Sequence, residues 1–328
     1  MLFLNRVILL FSVLFCSCGK TKLEYQKWEN WYRPVDNSVF TFNYGNNHDP
    51  IIFVDSNLEY PYHLLVSGWG CTSETNNLPL TYLWRSKKFS WSADNWELVS
   101  KNYEIGCYYE YDDGVKVDNK YYIYEEGEVF TLEGDLDSGS GKWIKAGTFP
   151  KHLGDDVGVF YEDGIFHLFG EYGDFPNGPD GTSLSHLTSK TGIGDWILED
   201  AKAVNPNLDN DNIFGVGDAT IIKIENEYYL YCDLESEDKP YRIVAWKSES
   251  LYEKFEYLGV AISPRENESD DMDNYRIQDG DIVYVPEISK YIIVCNMMDM
   301  DGNPDLNFPR LENFTRVVGF LYSDMCLE

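Results

Sequence analysis

Positive charge is scarce in this chain. Its 328 residues hold 26 Lys and Arg against 56 Asp and Glu, a net charge of −30 with the five histidines neutral. A nucleic-acid backbone, an anionic lipid surface or a polyanionic sugar needs clustered positive charge, so all three are excluded as partners gripped by electrostatics. Long apolar runs are scarce too, and only the first 18 residues form one. Strong helical periodicity is rare. Zinc spacing is missing: the five cysteines after residue 18 (Cys71, Cys107, Cys232, Cys295, Cys326) are odd in number and include no CxxC, so at least one thiol stays unpaired. Aromatics are plentiful. At 16%, with 25 Tyr and 9 Trp, they are too many for a disordered acidic chain, and the length suits one large domain or two small ones.

The N-terminus reads as an address. One basic residue, Arg6, precedes an apolar stretch from Val7 to Phe15 that ends in Cys16-Ser17-Cys18-Gly19. A basic start, a short apolar core and a small residue before the cut make a secretory signal. At about 10 apolar residues the run is too short to span a bilayer. Cysteine directly after a small residue resembles the lipobox of bacterial lipoproteins. The resemblance implies cleavage after residue 17 and acylation of Cys18, giving an exported lipoprotein, periplasmic or at the outer membrane or cell surface. An ordinary signal peptide that happens to contain cysteines is the alternative.

The rest of the chain repeats itself. Short runs rich in Tyr, Ile, Val and Phe recur between Gly, Asn and Asp clusters, as in strands separated by turns. An Asp, a short apolar strand, a polar turn and an aromatic strand occur five times, beginning at Asp49, Asp113, Asp156, Asp218 and Asp281. An outer segment closes most copies around an aromatic: Trp96, Trp143, Trp196 and Phe255. Three to four strands in each of five units predict an all-β, five-bladed β-propeller over residues 46–328, preceded by a signal (1–17) and a tether and lead-in (18–45). The first strand of each blade is innermost, so the five aspartates are expected at one mouth of the central channel. Crowded carboxylates there would raise one another's proton affinity, as general-acid chemistry requires. The plainer role is a cap that bonds backbone N–H groups, and this is the favoured one for Asp113 and Asp281.

Asn47-His48-Asp49-Pro50, at the head of the first unit, resembles the Asp-Pro signature of the five-bladed propeller glycoside hydrolases, family 43 above all, with families 62, 32, 68 and 117 as relatives. The segment Gly154-Asp155-Asp156-Val157-Gly158-Val159-Phe160 is similar to that family's blade-three segment, and Phe214-Gly215-Val216-Gly217-Asp218-Ala219-Thr220 to its blade-four segment. The resemblance implies an inverting acid/base glycosidase acting on plant- or algal-type oligo- or polysaccharides. Asp49 would be the base, Asp156 the modulator and Asp218 the acid. Blade four departs from the pattern, because the family has Glu where Asp218 stands. Glu171 is a substitute acid from the neighbouring blade, or else a solvated rim residue.

Substrate-binding candidates are His48, Glu171, His167, Arg276 and Trp69. His167 alternates with Phe166 and Leu168, so it faces the channel or is a satisfied core histidine. Arg276 is placed to pair with the carboxylate ring, and Trp69, Tyr172 and Phe175 to stack on sugar faces. No cofactor is required. A structural Ca2+ is suggested by the oxygen-rich segments Asp209–Asp211, Glu268–Asp271 and Asp299–Asn303, although none has EF-hand spacing. A non-catalytic propeller that binds oligosaccharide for an uptake system is the alternative function. A structural propeller for protein partners is a third.

Overall fold

The computed structural model describes residues 31–34, 40, 46–69, 80–100, 111–173, 182–205, 213–236, 240–265, 275–300 and 314–323. Within these, β-branched and aromatic runs form five four-stranded antiparallel sheets. Strand β1 (Trp31–Tyr32) precedes the first complete blade, β2 (Asn46–Val54), β3 (Tyr62–Trp69), β4 (Leu80–Ser86) and β5 (Glu97–Ser100). Blade two is β6 (Asp113–Val117), β7 (Lys120–Glu125), β8 (Glu128–Glu133) and β9 (Lys142–Thr148). Blade three is β10 (Asp155–Glu162), β11 (Ile165–Tyr172), β12 (Ser183–Ser189) and β13 (Ile197–Val204). Blade four is β14 (Ile213–Ile224), β15 (Glu227–Ser236), β16 (Arg242–Ser248) and β17 (Glu256–Ile262). Blade five is β18 (Arg276–Val285), β19 (Lys290–Met300) and β20 (Phe314–Ser323), with β1 as its outermost strand. The protein is a five-bladed β-propeller.

Its innermost strands β2, β6, β10, β14 and β18 touch in sequence and close the ring. Alternation of side chains along each strand sends one row towards each neighbouring blade, so the core is five apolar clusters, one per blade interface. The outer aromatics expected from sequence close their blades from inside or just before the last strand: Trp96, Trp143 and Phe255 are buried. Trp196 donates its indole N–H to the Thr148 carbonyl of blade two at 3.0 Å.

Polar ties join the inner strands. Asp281 accepts the Ile52 N–H at 2.7 Å, Asp113 accepts the Val159 N–H at 2.8 Å, and the Thr220 hydroxyl accepts the Ile282 N–H at 3.1 Å. Asp113 and Asp281 are therefore caps on the next blade's backbone. Lower on the strands, Asp55 takes Lys116 at 2.7 Å together with the Tyr121 hydroxyl. Glu162 takes Lys223 and the Tyr228 hydroxyl in the same way.

The propeller begins earlier than residue 46. Trp31 and Tyr32 pair with Ser323 and Tyr322, and Phe40, 1% exposed, bridges to Val318. The lead-in thus supplies blade five's fourth strand, pairing with the outer edge of β20 at Tyr322 and Ser323. Cys18 and the segment before Trp31 lie outside the described residues. No helix among the described residues is long and apolar enough to cross a membrane.

Candidate active site

Four innermost strands carry a bulge at the same height, and an aspartate occupies it each time. These are Asp49 (φ 43°), Asp156 (φ 42°), Asp218 (φ 47°) and Asp279 (φ 50°). The left-handed region is costly for most side chains, but aspartate tolerates it by bonding locally. A bulge also re-aims the side chain it carries, here at the ring's mouth. The equivalence is fixed by the ties, since Ile52, Val159 and Ile282, the donors above, each lie three residues after their bulged aspartate.

Charge interactions show how these groups converge. Asp218 is half-buried, and its carboxyl is held well above the usual range by burial and then by Asp279, Asp156, Asp233 and Asp49. Burial likewise raises Glu171, helped by Glu235, Asp156, Asp155 and Asp112. Asp112, one residue before β6, is raised by burial and by Asp156 and Asp155. Burial and Asp279 push Glu235 up to about 7 against the opposing pull of Arg276. At the rim Lys151 holds Glu126 and, at 3.1 Å, Asp155.

Asp279 is firmly held. Gln278 donates its amide to both carboxylate oxygens (2.9 and 3.0 Å), Asn296 donates to Oδ2, and the Asp279 N–H donates to Asp233 Oδ2 at 3.0 Å. Oxygens of Asp218, Asp233 and Asp279 lie within 4.8 Å of one another. Asp233 is 1% exposed and its Oδ1 has no hydrogen-bond partner. Such hard oxygen donors fit Ca2+, and these are the described residues able to hold it. Of the three segments that suggested calcium from sequence, none has described side chains.

The sequence-derived candidates divide clearly. Asp156, Asp218 and Glu171 share the site with Asp49, and Arg276 reaches its edge, with its guanidinium 3.9 Å over the Tyr241 ring and its charge acting on Glu235. His48 and Trp69 lie on β2 and β3, but their side chains are outside the described residues, as is Phe175. His167 is a core histidine: 3% exposed, its Nδ1 lies 2.9 Å from His186 Nε2, and the rings stack between blades three and four near Tyr252. It is no substrate contact, because the middle of β11 lies inside the blade interface. Blade five's site residue is Asp279 rather than Asp281, and blade two's is Asp112 rather than Asp113. Sequence reading missed these two and also Asp233 and Glu235. The last pair sits at the mouth end of an apolar strand, as Glu171 does at the end of β11, and that shared position is the signal that would have found them.

No family model matches the chain, and no curated protein matches it. Solved structures do. The α-L-arabinofuranosidase PaAbf62A from Podospora anserina, in complex with cellotriose, superposes with a TM-score of 0.63 at 13% identity, covering 92% of this chain and 99% of that one. The fold is that of the five-bladed propeller glycoside hydrolases. A thermostable family-43 glycoside hydrolase gives 0.53 at 14% identity over 86% and 91% of the two chains. An N-acetylgalactosamine deacetylase from F. plautii, in complex with blood group B trisaccharide, gives 0.58 at 12% over 90% and 95%. At such identities the likeness concerns the fold, and the deacetylase shows that the fold serves more than one reaction.

Proposed function

We propose that the protein is an inverting glycoside hydrolase for oligo- or polysaccharides of plant or algal type, built from arabinose, xylose or galactose units. The observation that carries this reading is the repeated bulge, which sets Asp49, Asp156 and Asp218 in one conformation on three blades, with Asp218 in the field of both others. Crowded carboxylates divide their roles: some stay ionised and others keep a proton at neutral pH. Asp49 takes the proton of the attacking water, Asp156 orients and tunes, and a protonated carboxyl at Asp218 or Glu171 supplies the leaving oxygen. Inversion needs the two working carboxyls about 6.5–9.5 Å apart, a spacing suited to groups on different blades. Ca2+ held by Asp218, Asp233 and Asp279 would neutralise part of the ring.

A panel of oligosaccharides followed by proton NMR tests this. The first-formed sugar should have inverted configuration, and a retained anomer would refute the assigned roles. The second reading, a carbohydrate-binding propeller without catalysis, is favoured by the short Asp218 and by its grouping with Asp233 and Asp279. It predicts thermal shifts with sugars, no cleavage, and no difference in either for Asp49→Asn. For export, we propose acylation of Cys18. Labelling with a clickable palmitate analogue should mark the wild type and not Cys18→Ser.

A further inference from the structure

Two carboxyls compete to be the proton donor, and geometry separates them. One carboxylate oxygen of Asp218 lies within 4.8 Å of oxygens of Asp233 and Asp279. Glu171 comes from blade three, on the row of β11 that faces blade four; Phe169 on that row packs with Val216 and Leu230. A Cβ placed on Gly217 would lie 1.9 Å from Glu171 Oε1. The Glu171 carboxyl thus fills the volume that a side chain at residue 217 would take, one residue before Asp218.

We propose that Glu171, reaching over Gly217 from blade three, donates the proton to the departing glycosidic oxygen, and that Asp218 does not. This rests on the hydrolase reading. Glutamate has the extra methylene that aspartate lacks, so a neighbouring strand can deliver its carboxyl to blade four's inner edge. The groups facing it are Glu235, Asp233, Asp156, Asp155, Asp112, the Cys232 thiol and the Tyr241 phenol, none of them a cation, while the cations close by act elsewhere, Arg276 on Glu235 and Lys151 on Asp155. With burial, that surrounding keeps Glu171 protonated between turnovers. In the reaction the C–O bond breaks as Glu171's proton passes to the leaving oxygen. Water bonds to the anomeric carbon and its proton goes to Asp49. Solvent then reprotonates Glu171 and deprotonates Asp49.

A leaving group that needs no proton exposes the donor. Wild type, Glu171→Gln and Asp218→Asn are compared on natural oligosaccharides and on the matching 2,4-dinitrophenyl glycosides, with thermal melts as folding controls. Glu171→Gln should lose roughly 10²–10⁴-fold on the natural substrate and stay within about tenfold of wild type on the dinitrophenyl glycoside. Asp218→Asn should show no such split. Gly217→Ala, which displaces the carboxyl without removing it, should give a milder split of the same kind and serves if Glu171→Gln folds poorly. A split confined to Asp218→Asn, or equal losses on both substrates for Glu171→Gln, overturns the proposal. Should wild type cleave none of the glycosides, the hydrolase reading falls with it, and that outcome is visible before any variant is made.

Discussion

The stacked pair His167 and His186 makes a sharp prediction about acid stability. Both rings are almost fully buried, at 3% and 1% exposure, and share one contact, Nδ1 to Nε2 at 2.9 Å, which needs one donor and one acceptor. Burial pulls His167 down to about 4 despite Glu162 and Glu199, and burial together with His167 pulls His186 down to about 3 despite Asp200. Depressed values mean that the fold prefers both rings neutral. Their contribution is complete above the unfolded value near 6.5 and is lost as the pH falls from there towards the folded values. At pH 5 each unfolded ring gains roughly 2 kcal/mol from its proton, at about 1.4 kcal/mol per pH unit, while the folded rings gain almost nothing. The pair should therefore cost about 4 kcal/mol between pH 7.5 and pH 5. Carboxyls with raised values act in the opposite sense: Asp281 and Glu235, both near 7, favour the folded state as acid is added. Only a comparison isolates the histidines. Urea unfolding followed by tryptophan fluorescence, for wild type and His186→Gln at both pH values, should show the variant losing about 2 kcal/mol less on acidification. Equal losses would refute the reasoning, and an NMR titration placing either folded ring above 6 would say why.

Three further outcomes are expected. A Cβ on Gly158 would meet the Ala219 carbonyl at 1.8 Å, so Gly158→Ala should destabilise by about 1–3 kcal/mol in urea unfolding, whereas Gly194→Ala, which meets nothing within 4 Å, should stay within about 0.5 kcal/mol. Asp281→Ala orphans the buried Ile52 N–H and should cost about 1–3 kcal/mol, most of it recovered by Asp281→Asn, which keeps an acceptor oxygen. Asp49→Asn, whose side chain still tolerates the left-handed backbone at φ 43°, should reduce hydrolysis roughly 10²–10⁴-fold and leave the melting temperature within a few degrees of wild type; a large drop in melting temperature would make Asp49 a structural residue instead.

The fold was legible because a propeller writes its period into the chain. Each blade must bury both faces of a four-stranded sheet, so apolar strands, polar turns and one closing aromatic recur, and Trp96, Trp143, Trp196 and Phe255 mark the outer strands in the sequence itself. What misled was the hairpin length. Glu162 pairs with Ile165 and Ile224 with Glu227, but Val285 pairs with Lys290, so blade five's first turn is two residues longer. The fifth copy of the repeat, taken to begin at Asp281, therefore starts two residues after the bulged Asp279. The crossing of Trp31 to Ser323 was illegible for a different reason: ring closure is set by topology, and two residues of strand carry no periodicity.

The site was legible in the bulged Asp49, Asp156 and Asp218, left Glu171 with two readings, and was opaque in Asp233 and Glu235, and the difference is physical. An aspartate at a bulge is a local event, because the backbone conformation, the short side chain and the strand start sit within a few residues of each other. Glu171 and Glu235 work at a distance, each placed by the far end of a second strand, and their meaning depends on which blade they face. Gly217 completes the logic. Read alone, Phe214-Gly215-Val216-Gly217-Asp218 is a strand that tolerates glycine. In the ring, Gly215 lies against Thr182 and Gly217 against Glu171, so the two glycines thin blade four's inner edge where blade three presses on it. The short Asp218 and the missing side chain at Gly217 then form one arrangement: the first lies beside Asp233 and Asp279, and the second admits a longer carboxyl from blade three.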